Sequence, residues 1–156
     1  MQHYRWRIRA ARLATPAFRL WRRITRPMTL GVRGVALDDA GRVLLVRHTY
    51  RAGWHLPGGG VEVGETAEEA MRREMMEEGG VAPVGALTLI SVHCNRPYDK
   101  RDHVLLYAIR AWRACAPLEN GEIAERGFFA LDALPEGATA LTRRRIMEAL
   151  GTDAAL

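Results

Sequence analysis

The chain has 156 residues, of which 48% are hydrophobic and 26% are charged, and its formal net charge at pH 7 is +5. This length suits one domain that buries roughly two thirds of its unfolded surface without disulfides, and no stretch has the length and apolarity of a membrane span or a signal peptide. The two cysteines, Cys94 and Cys115, lie far apart without CxxC spacing, which argues against a disulfide framework or a zinc site and favours a cytoplasmic protein.

The first 27 residues differ from the rest of the chain in charge. They hold eight arginines and no acidic residue, a charge of +8, so residues 28–156 sum to −3. Aromatic and aliphatic residues lie between the arginines, and residues 20–24 suit a short amphipathic helix. We therefore interpret residues 1–27 as a basic N-terminal extension of a main domain at residues 28–156.

Three roles for this extension stay open. It can pack on its own domain or on a second subunit, as in a homodimer. Residues 1–26 can also contact an anionic membrane surface, for which basic amphipathic helices with aromatic residues are typical. Contact with nucleic acid by charge alone is the weakest interpretation, and specific nucleic-acid binding is not expected because no recognition motif accompanies the arginines.

The next part of the chain predicts a hairpin, a loop and a helix. Residues 30–37 and 42–47 are strand-like around a short turn, and together they predict a hairpin that enters the main sheet. Three glycines at residues 58–60 impose a loop. Residues 65–78 then combine strong helix formers with apolar residues at spacings of three and four, so we predict a helix that ends at two glycines.

The second half predicts further strands and a last helix. Two strands are expected at residues 84–93 and 104–112, with a polar loop at residues 95–102 between them. A short third strand is expected around residues 128–129. The last helix is predicted over residues 139–150, with Thr139 or Thr142 as its cap. Because strands and helices do not alternate strictly, we predict an α/β fold in which helices cover a mixed sheet.

Three glutamates on the first predicted helix indicate a metal site. At 100° per residue, Glu74, Glu77 and Glu78 span an arc of only about 100°, so their carboxylates converge. Like charges this close repel each other unless a positive charge compensates them, and a divalent cation can do so. Because such a cation is commonly shared with substrate phosphates, acidic residues beside a glycine-rich turn indicate phosphate chemistry. Arg73 lies four residues from both Glu69 and Glu77 and can hold the acidic row by ion pairs. On the helix alone, ordinary solvated Glu/Arg pairs are the favoured explanation, because acidic helices are common.

The spacing of the whole stretch over residues 59–81 decides between these interpretations. The stretch, GGVEVGETAEEAMRREMMEEGGV, resembles the signature of the Nudix hydrolase family, G-x5-E-x7-R-E-U-x-E-E-x-G-U, where U is a bulky apolar residue. The matching residues are Gly59, Glu65, Arg73, Glu74, Met75, Glu77, Glu78, Gly80 and Val81. A chance match in a chain of this length is on the order of one in ten million. The resemblance covers roughly residues 30–150 and leaves the basic extension outside it.

The resemblance implies a fold, a reaction and a set of metal ligands. The implied fold is a Nudix-type α/β/α sandwich around a mixed sheet, and the implied activity is Mg²⁺-dependent hydrolysis of a phosphoanhydride bond. In the family the motif glutamates bind Mg²⁺ or Mn²⁺, which implies Glu74, Glu77 and Glu78 as ligands here. The carbonyl of Gly58 would complete the shell.

Other residues receive supporting or catalytic roles from the same resemblance. Arg73 would orient the glutamates by ion pairing, and Glu65 would brace the loop against the helix. Many members add a carboxylate from a loop ahead of a late strand, as a ligand or general base; Glu122 is expected there, with Glu125 as second choice. Glu77 and Glu122 are therefore the candidate bases, and the choice between them stays open.

The substrate is implied only as a class of nucleotide-type small molecules. ADP-ribose, nucleoside triphosphates and dinucleoside polyphosphates are all candidates. Pro97 and Tyr98 stand where the family has cues for ADP-ribose and for dinucleoside polyphosphates respectively, so together they do not discriminate. Charged and aromatic side chains of this loop could stack a base or pair with phosphates; they are Arg96, Tyr98, Lys100 and Arg101.

Two further interpretations concern roles other than catalysis. The lone histidines His55, His93 and His103 are expected to have core or surface roles. A non-catalytic Nudix-fold module that senses a nucleotide is the alternative function. Because such modules usually lose glutamates and this chain keeps each charged position of the signature, catalysis is favoured.

Overall fold

The computed structural model describes residues 28–96, 99–118 and 121–151, so the predicted extension at residues 1–27 and the two substrate cues, Pro97 and Tyr98, lie outside the described residues. Within the described ranges the chain forms seven strands and two helices. In chain order they are β1 (Thr29–Ala36), β2 (Val43–His48), α1 (Ala67–Glu77), β3 (Val81–Pro83), β4 (Thr88–Cys94), β5 (Asp102–Ile109), β6 (Trp112–Ala114), β7 (Ile123–Phe129) and α2 (Ala140–Gly151).

A mixed three-stranded sheet lies at the centre of the fold, as the sequence predicted. Its strand order is β1-β5-β4, with β1 parallel to β5 and β4 antiparallel to β5. Two antiparallel pairs, β2 with β7 and β3 with β6, complete the strand pairing of the described residues.

The apolar side chains form two clusters, and each cluster includes one helix. The first contains buried residues of α1, Ala70, Met71 and Met75, with Val32, Ala36, Leu44, Val81, Tyr107 and Ile109. The second contains Ile146 and Ala149 of α2, with Val35, Val43, Leu45, Leu56 and Leu106. Because side chains alternate along a strand, Val32 and Ala36 face α1 whereas Val35 faces α2. This arrangement confirms the prediction of an α/β fold with helices on both faces of the sheet.

The predicted hairpin between the first two strands is wrong. After a single bridge between Leu37 and Val43, β2 pairs with β7 instead of β1. The glycine loop occupies the edge of β1 that a hairpin would need. The N–H groups of Val32 and Gly34 donate to the carbonyls of Gly59 (2.9 Å) and Pro57 (3.0 Å), which fixes this loop against the sheet.

The helix ends show one prediction confirmed and one corrected. The N–H of Thr142 donates to Thr139 Oγ1 at 3.0 Å, which confirms Thr139 as the cap of α2. At the start of α1, Thr66 and Glu69 form a reciprocal capping box. The Glu69 carboxylate is held there at 2.7 Å from the Thr66 N–H, so the predicted pairing of Arg73 with Glu69 is replaced by other contacts.

The strand bounds in the second half differ from the prediction where turns intervene. The stretch predicted as one strand from residue 84 to 93 begins instead at Thr88, because the chain turns after β3 through Gly85 at φ +73°. The short strand expected near residues 128–129 is the end of the longer β7. No helix among the described residues combines the length and apolarity needed to cross a membrane.

Candidate active site

The glycine loop fits between β1 and α1 with little room for side chains. Gly58 has φ +141°, and a Cβ there would lie 2.1 Å from the carbonyl oxygen of Val32. A Cβ on Gly59 would lie 2.4 Å from Glu74 Oε1. The loop therefore needs glycine at position 58, where a Cβ would meet backbone at a positive φ, and at position 59 the small residue lets the backbone lie close to the Glu74 carboxylate.

We expect Gly58→Ala to lower the free energy of unfolding by more than about 2 kcal/mol, because the added methyl group meets rigid backbone at a strained φ. Gly60→Ala is the matched control, since a Cβ there has no neighbour within 4 Å. Urea denaturation of the two variants measures the difference. Equal stability of both variants would contradict the tight fit of the loop.

Two of the motif glutamates are buried. Glu74 is 8% exposed and Glu78 is 6% exposed. Burial raises the pKa of Glu78 to about 7. The Gly58 N–H donates to Glu78 Oε2 at 2.8 Å and opposes this rise, whereas the charge of Glu74 adds to it. Burial also raises the pKa of Glu74, against the opposing hydrogen bond from Arg73. Two neighbouring buried carboxylates are thus held at a position that favours a cation.

Arg73 connects the loop to three glutamates of the motif. Its guanidinium contacts Glu65 Oε1 at 2.8 Å, Glu74 Oε1 at 2.7 Å and Glu77 Oε2 at 3.3 Å, and it donates to the Gly60 carbonyl at 3.1 Å. Hydrogen bonding to Glu65 raises the pKa of Arg73, so this residue is a permanent cation. The structure thus brings Arg73 together with Glu65, Glu74 and Glu77, while orientation of the glutamates by Arg73 and bracing of the loop by Glu65 stay predictions.

Arg33 is a site residue that the sequence interpretation missed. Its Nη1 donates to the carbonyl of Gly58 and, at 3.1 Å, to that of Val32. Burial lowers the pKa of Arg33, while the charge of Glu78 raises it. The Gly58 carbonyl, a predicted metal ligand, therefore accepts a hydrogen bond from Arg33 here. The sequence signal that could have identified Arg33 was its position as a charged residue among the apolar residues of a buried strand.

His48, at the end of β2, is a second residue that was missed. It is buried, and its Nδ1 lies 3.7 Å from Glu78 Oε1 without a hydrogen-bond partner in the described part of the chain. Burial lowers the pKa of His48, and the neighbouring His55 and Arg33 lower it further. A neutral imidazole at pH 7 follows, so its approach to Glu78 is a polar contact and not an ion pair.

The two candidate carboxylates of the late loop differ in their surroundings. Glu122 directly precedes β7, and its carbonyl accepts from the Thr49 N–H at 2.8 Å. Its charge contributes to the raised pKa values of Tyr50 and Glu78, so Glu122 lies on the side of the motif glutamates. Glu125, the second choice, instead forms an exposed ion pair with Arg47.

Two of the three lone histidines, His55 and His93, have local partners, whereas His103 Nδ1 is buried without a hydrogen-bond partner in the described part of the chain. His55 is buried, with Nε2 at 2.9 Å from the Ala52 carbonyl. His93 Nε2 lies 3.0 Å from Glu148 Oε2 and 2.8 Å from Ser91 Oγ. These local partners suit the structural roles expected from the sequence.

The residues of the site fit a hard divalent cation. Their donors are the carboxylates of Glu74, Glu77 and Glu78 and the carbonyl of Gly58, and oxygen ligands of this kind are those that Mg²⁺ and Mn²⁺ prefer. The close approach of Glu74 to Gly59 and the burial of Glu78 hold these oxygens beside the loop. The predicted convergence of the Glu74, Glu77 and Glu78 carboxylates is not present: across residues 28–96, 99–118 and 121–151, no three acidic, histidine or cysteine side chains come together as a ligand set. Arg73 Nη1 contacts both Glu74 and Glu77 and supplies the compensating positive charge instead.

The raised pKa of Glu78 predicts a pH-dependent stability in metal-free buffer. Its pKa is about 7 in the folded protein against an ordinary value of 4.5. Because the pKa is higher in the folded protein, the folded state favours the protonated carboxyl of Glu78. This contribution to the free energy of unfolding is complete below pH 4.5 and is lost as the pH rises through 7. Glu78→Gln is neutral throughout, so its free energy of unfolding relative to the wild type should rise by about 3 kcal/mol between about pH 4.5 and pH 8. A pH-independent difference in urea denaturation would contradict the buried, raised-pKa carboxylate.

Comparison with known proteins places this geometry in a family. The model of the NUDIX domain matches residues 27–150. The ADP-ribose pyrophosphatase of Methanocaldococcus jannaschii is 34% identical over 111 residues, which are 69% of this chain and 64% of that protein. A putative 8-oxo-dGTP diphosphatase of Bacillus subtilis is 35% identical over 89 residues, 56% of this chain and 58% of that protein. The chain thus spans less than two thirds of the length of these relatives.

Solved structures agree with this placement. The MutT NUDIX hydrolase from Burkholderia pseudomallei superposes with a TM-score of 0.66 at 30% sequence identity, over 78% of this chain and 98% of that chain. A structure of an ADP compounds hydrolase shares the fold alone, with a TM-score of 0.69 at 15% identity over 84% of this chain and 76% of that chain. The signature over residues 59–81, the helix–sheet–helix arrangement and the domain match together show that the chain belongs to the Nudix family.

Proposed function

We propose that the protein is a metal-dependent hydrolase that cleaves a phosphoanhydride bond in a nucleotide or a nucleoside-diphosphate derivative. The observation that carries the proposal is the pair of buried glutamates, Glu74 and Glu78, held beside the glycine loop. Buried carboxylates lower the stability of a fold unless a cation compensates their charge. Carboxylates with raised pKa values are therefore found mainly at functional sites.

In this proposal the cation is Mg²⁺ or Mn²⁺, and its ligands are Glu74, Glu77 and Glu78, with Glu122 as a further ligand or base. The carbonyl of Gly58 would join these ligands only in place of its hydrogen bond from Arg33. When bound, the metal neutralises charge on the substrate phosphates and increases the acidity of water. Arg73 keeps Glu74 and Glu77 in place through its ion pairs.

The hydrolytic step needs a base close to the phosphorus. Glu77 or Glu122 takes a proton from the water molecule that attacks phosphorus in line. A bond forms between the water oxygen and phosphorus, and the bridging P–O bond breaks with its electrons on the leaving phosphate. General base catalysis of this kind contributes roughly a hundredfold to ten-thousandfold. The products are a nucleoside monophosphate and a phosphorylated remainder, or pyrophosphate if the substrate is a triphosphate.

The names of the relatives support a nucleotide substrate. They include an ADP-ribose pyrophosphatase, a putative 8-oxo-dGTP diphosphatase and RNA pyrophosphohydrolases. We infer that this chain acts on ADP-ribose, a nucleoside triphosphate or a dinucleoside polyphosphate. A cytoplasmic location suits the proposal, because Cys94 and Cys115 are both free thiols.

A substrate panel tests the proposal. The purified full chain is incubated with Mg²⁺ and, separately, with ADP-ribose, nucleoside triphosphates, dinucleoside polyphosphates and NADH, and products are separated by chromatography. Turnover of at least one compound that stops in EDTA supports the proposal. Tight binding without turnover of any compound would favour the sensor instead.

The basic extension is tested by its deletion. Membrane-surface contact through residues 1–26 predicts that vesicles with anionic lipids bind the full chain and not the chain that lacks these residues. A role in homodimer formation predicts a change in the mass measured by light scattering. If neither property changes on deletion, both roles are excluded.

A further inference from the structure

A cleft of about 320 Å³ opens beside the glycine loop, and arginines line it. Gly59 and Gly60 form part of its wall, so the cleft is continuous with the loop that contacts Glu74. Three arginines line it: Arg33 from β1, Arg51 from the loop after β2, and Arg145 from α2. Asp102 is the acidic lining residue among the described residues, and its carboxylate accepts hydrogen bonds from Thr29 Oγ1 (2.8 Å) and Asn95 Nδ2 (2.9 Å).

Arg145 is buried with part of its guanidinium unpaired. The residue is only 4% exposed, and its Nη1 has no hydrogen-bond partner in the described part of the chain. Glu148 raises the pKa of Arg145, but less than burial lowers it, and the Glu148 carboxylate itself lies 3.0 Å from His93 Nε2. A buried guanidinium of this kind destabilises a fold unless an anion binds it.

Besides the negative Glu148, positive charges also lie close to Arg145. Arg33 lies on the face of β1 that also carries Val35, and Val35 packs in the cluster that contains Ile146 of α2. The charge of Arg33 accordingly lowers the pKa of Arg145. The first turn of α2 lines the same cleft through Thr142, and the N-terminal end of a helix favours anions. All of these features favour a negatively charged ligand in the cleft.

We propose that Arg145, together with Arg33, binds a phosphoryl group of the substrate that is not part of the cleaved anhydride. Arg145 then gives the protein a preference for nucleotides that place an additional phosphate in the cleft. Nucleotides that place an uncharged group there are poorer substrates. A guanidinium suits this role because its planar fork binds phosphate oxygens in pairs. The inference rests on the proposed hydrolytic function and names the substrate group that the cleft selects.

Binding of inorganic pyrophosphate in EDTA tests the anion site without metal or turnover. Calorimetry should show binding to the wild type and roughly tenfold to hundredfold weaker binding to Arg145→Met. Arg144→Met is the matched control, because Arg144 is exposed on the same helix and carries the same charge; it should bind like the wild type. Absent binding to the wild type, or equal binding to Arg145→Met, would overturn the inference and leave the proposed function intact.

Turnover separates a substrate phosphate from a free phosphate ion. Arg145→Met should lower kcat/KM for ATP by roughly tenfold to hundredfold and change that for ADP-ribose by less than about twofold. Arg145→Lys should recover part of the loss and serves as the second variant if Arg145→Met does not fold. If pyrophosphate binding weakens but the preference between the two substrates is unchanged, the cleft takes free phosphate and the assignment of substrate selection is wrong. If the wild type binds pyrophosphate but turns over no compound of the substrate panel, the proposed function is refuted instead.

Discussion

Glu78→Gln is expected to lower kcat by roughly a thousandfold or more while the fold remains intact. Glu78 is buried, and its Oε2 accepts the Gly58 N–H at 2.8 Å. A glutamine carbonyl can accept the same hydrogen bond, so the loop keeps its position. The negative charge that would bind the cation is lost. Steady-state kinetics with saturating Mg²⁺, together with circular dichroism, measures both effects.

The control for this prediction is Glu68→Gln on the same helix. Glu68 pairs with Arg72 at 2.6 Å on the outer side, away from the loop, and its removal should leave kcat within about twofold. Unchanged turnover in Glu78→Gln would show that Glu78 does not bind the metal. An equal loss in both variants would point to a general effect on the helix.

Arg73→Ala is expected to lower kcat by roughly a hundredfold and the free energy of unfolding by about 2 kcal/mol. Its guanidinium contacts Glu65, Glu74 and Glu77, so its loss leaves three carboxylates without their shared cation. Repulsion should then move Glu74 and Glu77 from the positions that the metal needs. Mg²⁺ titration by calorimetry, kinetics and urea denaturation measure these effects.

Arg72→Ala is the matched control for Arg73→Ala. Arg72 contacts Glu68 and the carbonyls of Pro83 and Gly85, which are remote from the motif glutamates. It should lower stability modestly and leave the affinity for Mg²⁺ unchanged. Arg73→Lys should recover only part of the activity, because an ammonium group cannot keep a forked contact with two carboxylates. Full activity of Arg73→Ala would contradict its role in positioning the glutamates.

The motif helix was largely predictable from the sequence because its determinants are local. Helix propensity, the glycines on either side and spacings of three and four residues set its position to within two residues at each end. The cap at Thr139 was predictable for the same reason. Helical geometry alone places Glu74, Glu77 and Glu78 on one side of the helix. It did not predict that their carboxylates stay apart as a ligand set while Arg73 contacts Glu74 and Glu77.

Strand pairing was not predictable, because it depends on contacts between distant residues. The turn between β1 and β2 resembles that of a hairpin, but the edge of β1 is taken by backbone groups from the glycine loop. Nothing in the local sequence distinguishes an edge that pairs with a strand from one that pairs with a loop. The hydrogen bond from Arg33 to the Gly58 carbonyl was not predictable either, because these two residues are distant in sequence.

The missed site residues share this cause. Arg33 and His48 lie on strands far in sequence from Glu78, and only the folded sheet places them beside the motif helix. Arg73 was expected to pair with Glu69, since a spacing of four residues favours it. The capping box at Thr66 holds the Glu69 carboxylate instead, and Glu65, eight residues away, takes its place.

The most direct test of metal-dependent hydrolysis is ³¹P NMR of the reaction run in H₂¹⁸O with Mg²⁺ and the nucleotide that the substrate panel identifies. We predict that one phosphate product carries a single ¹⁸O atom, that EDTA stops its formation and that Glu78→Gln forms almost none. Nucleotide binding without conversion, or conversion that continues in EDTA, would contradict a hydrolase that acts through Glu74, Glu77 and Glu78.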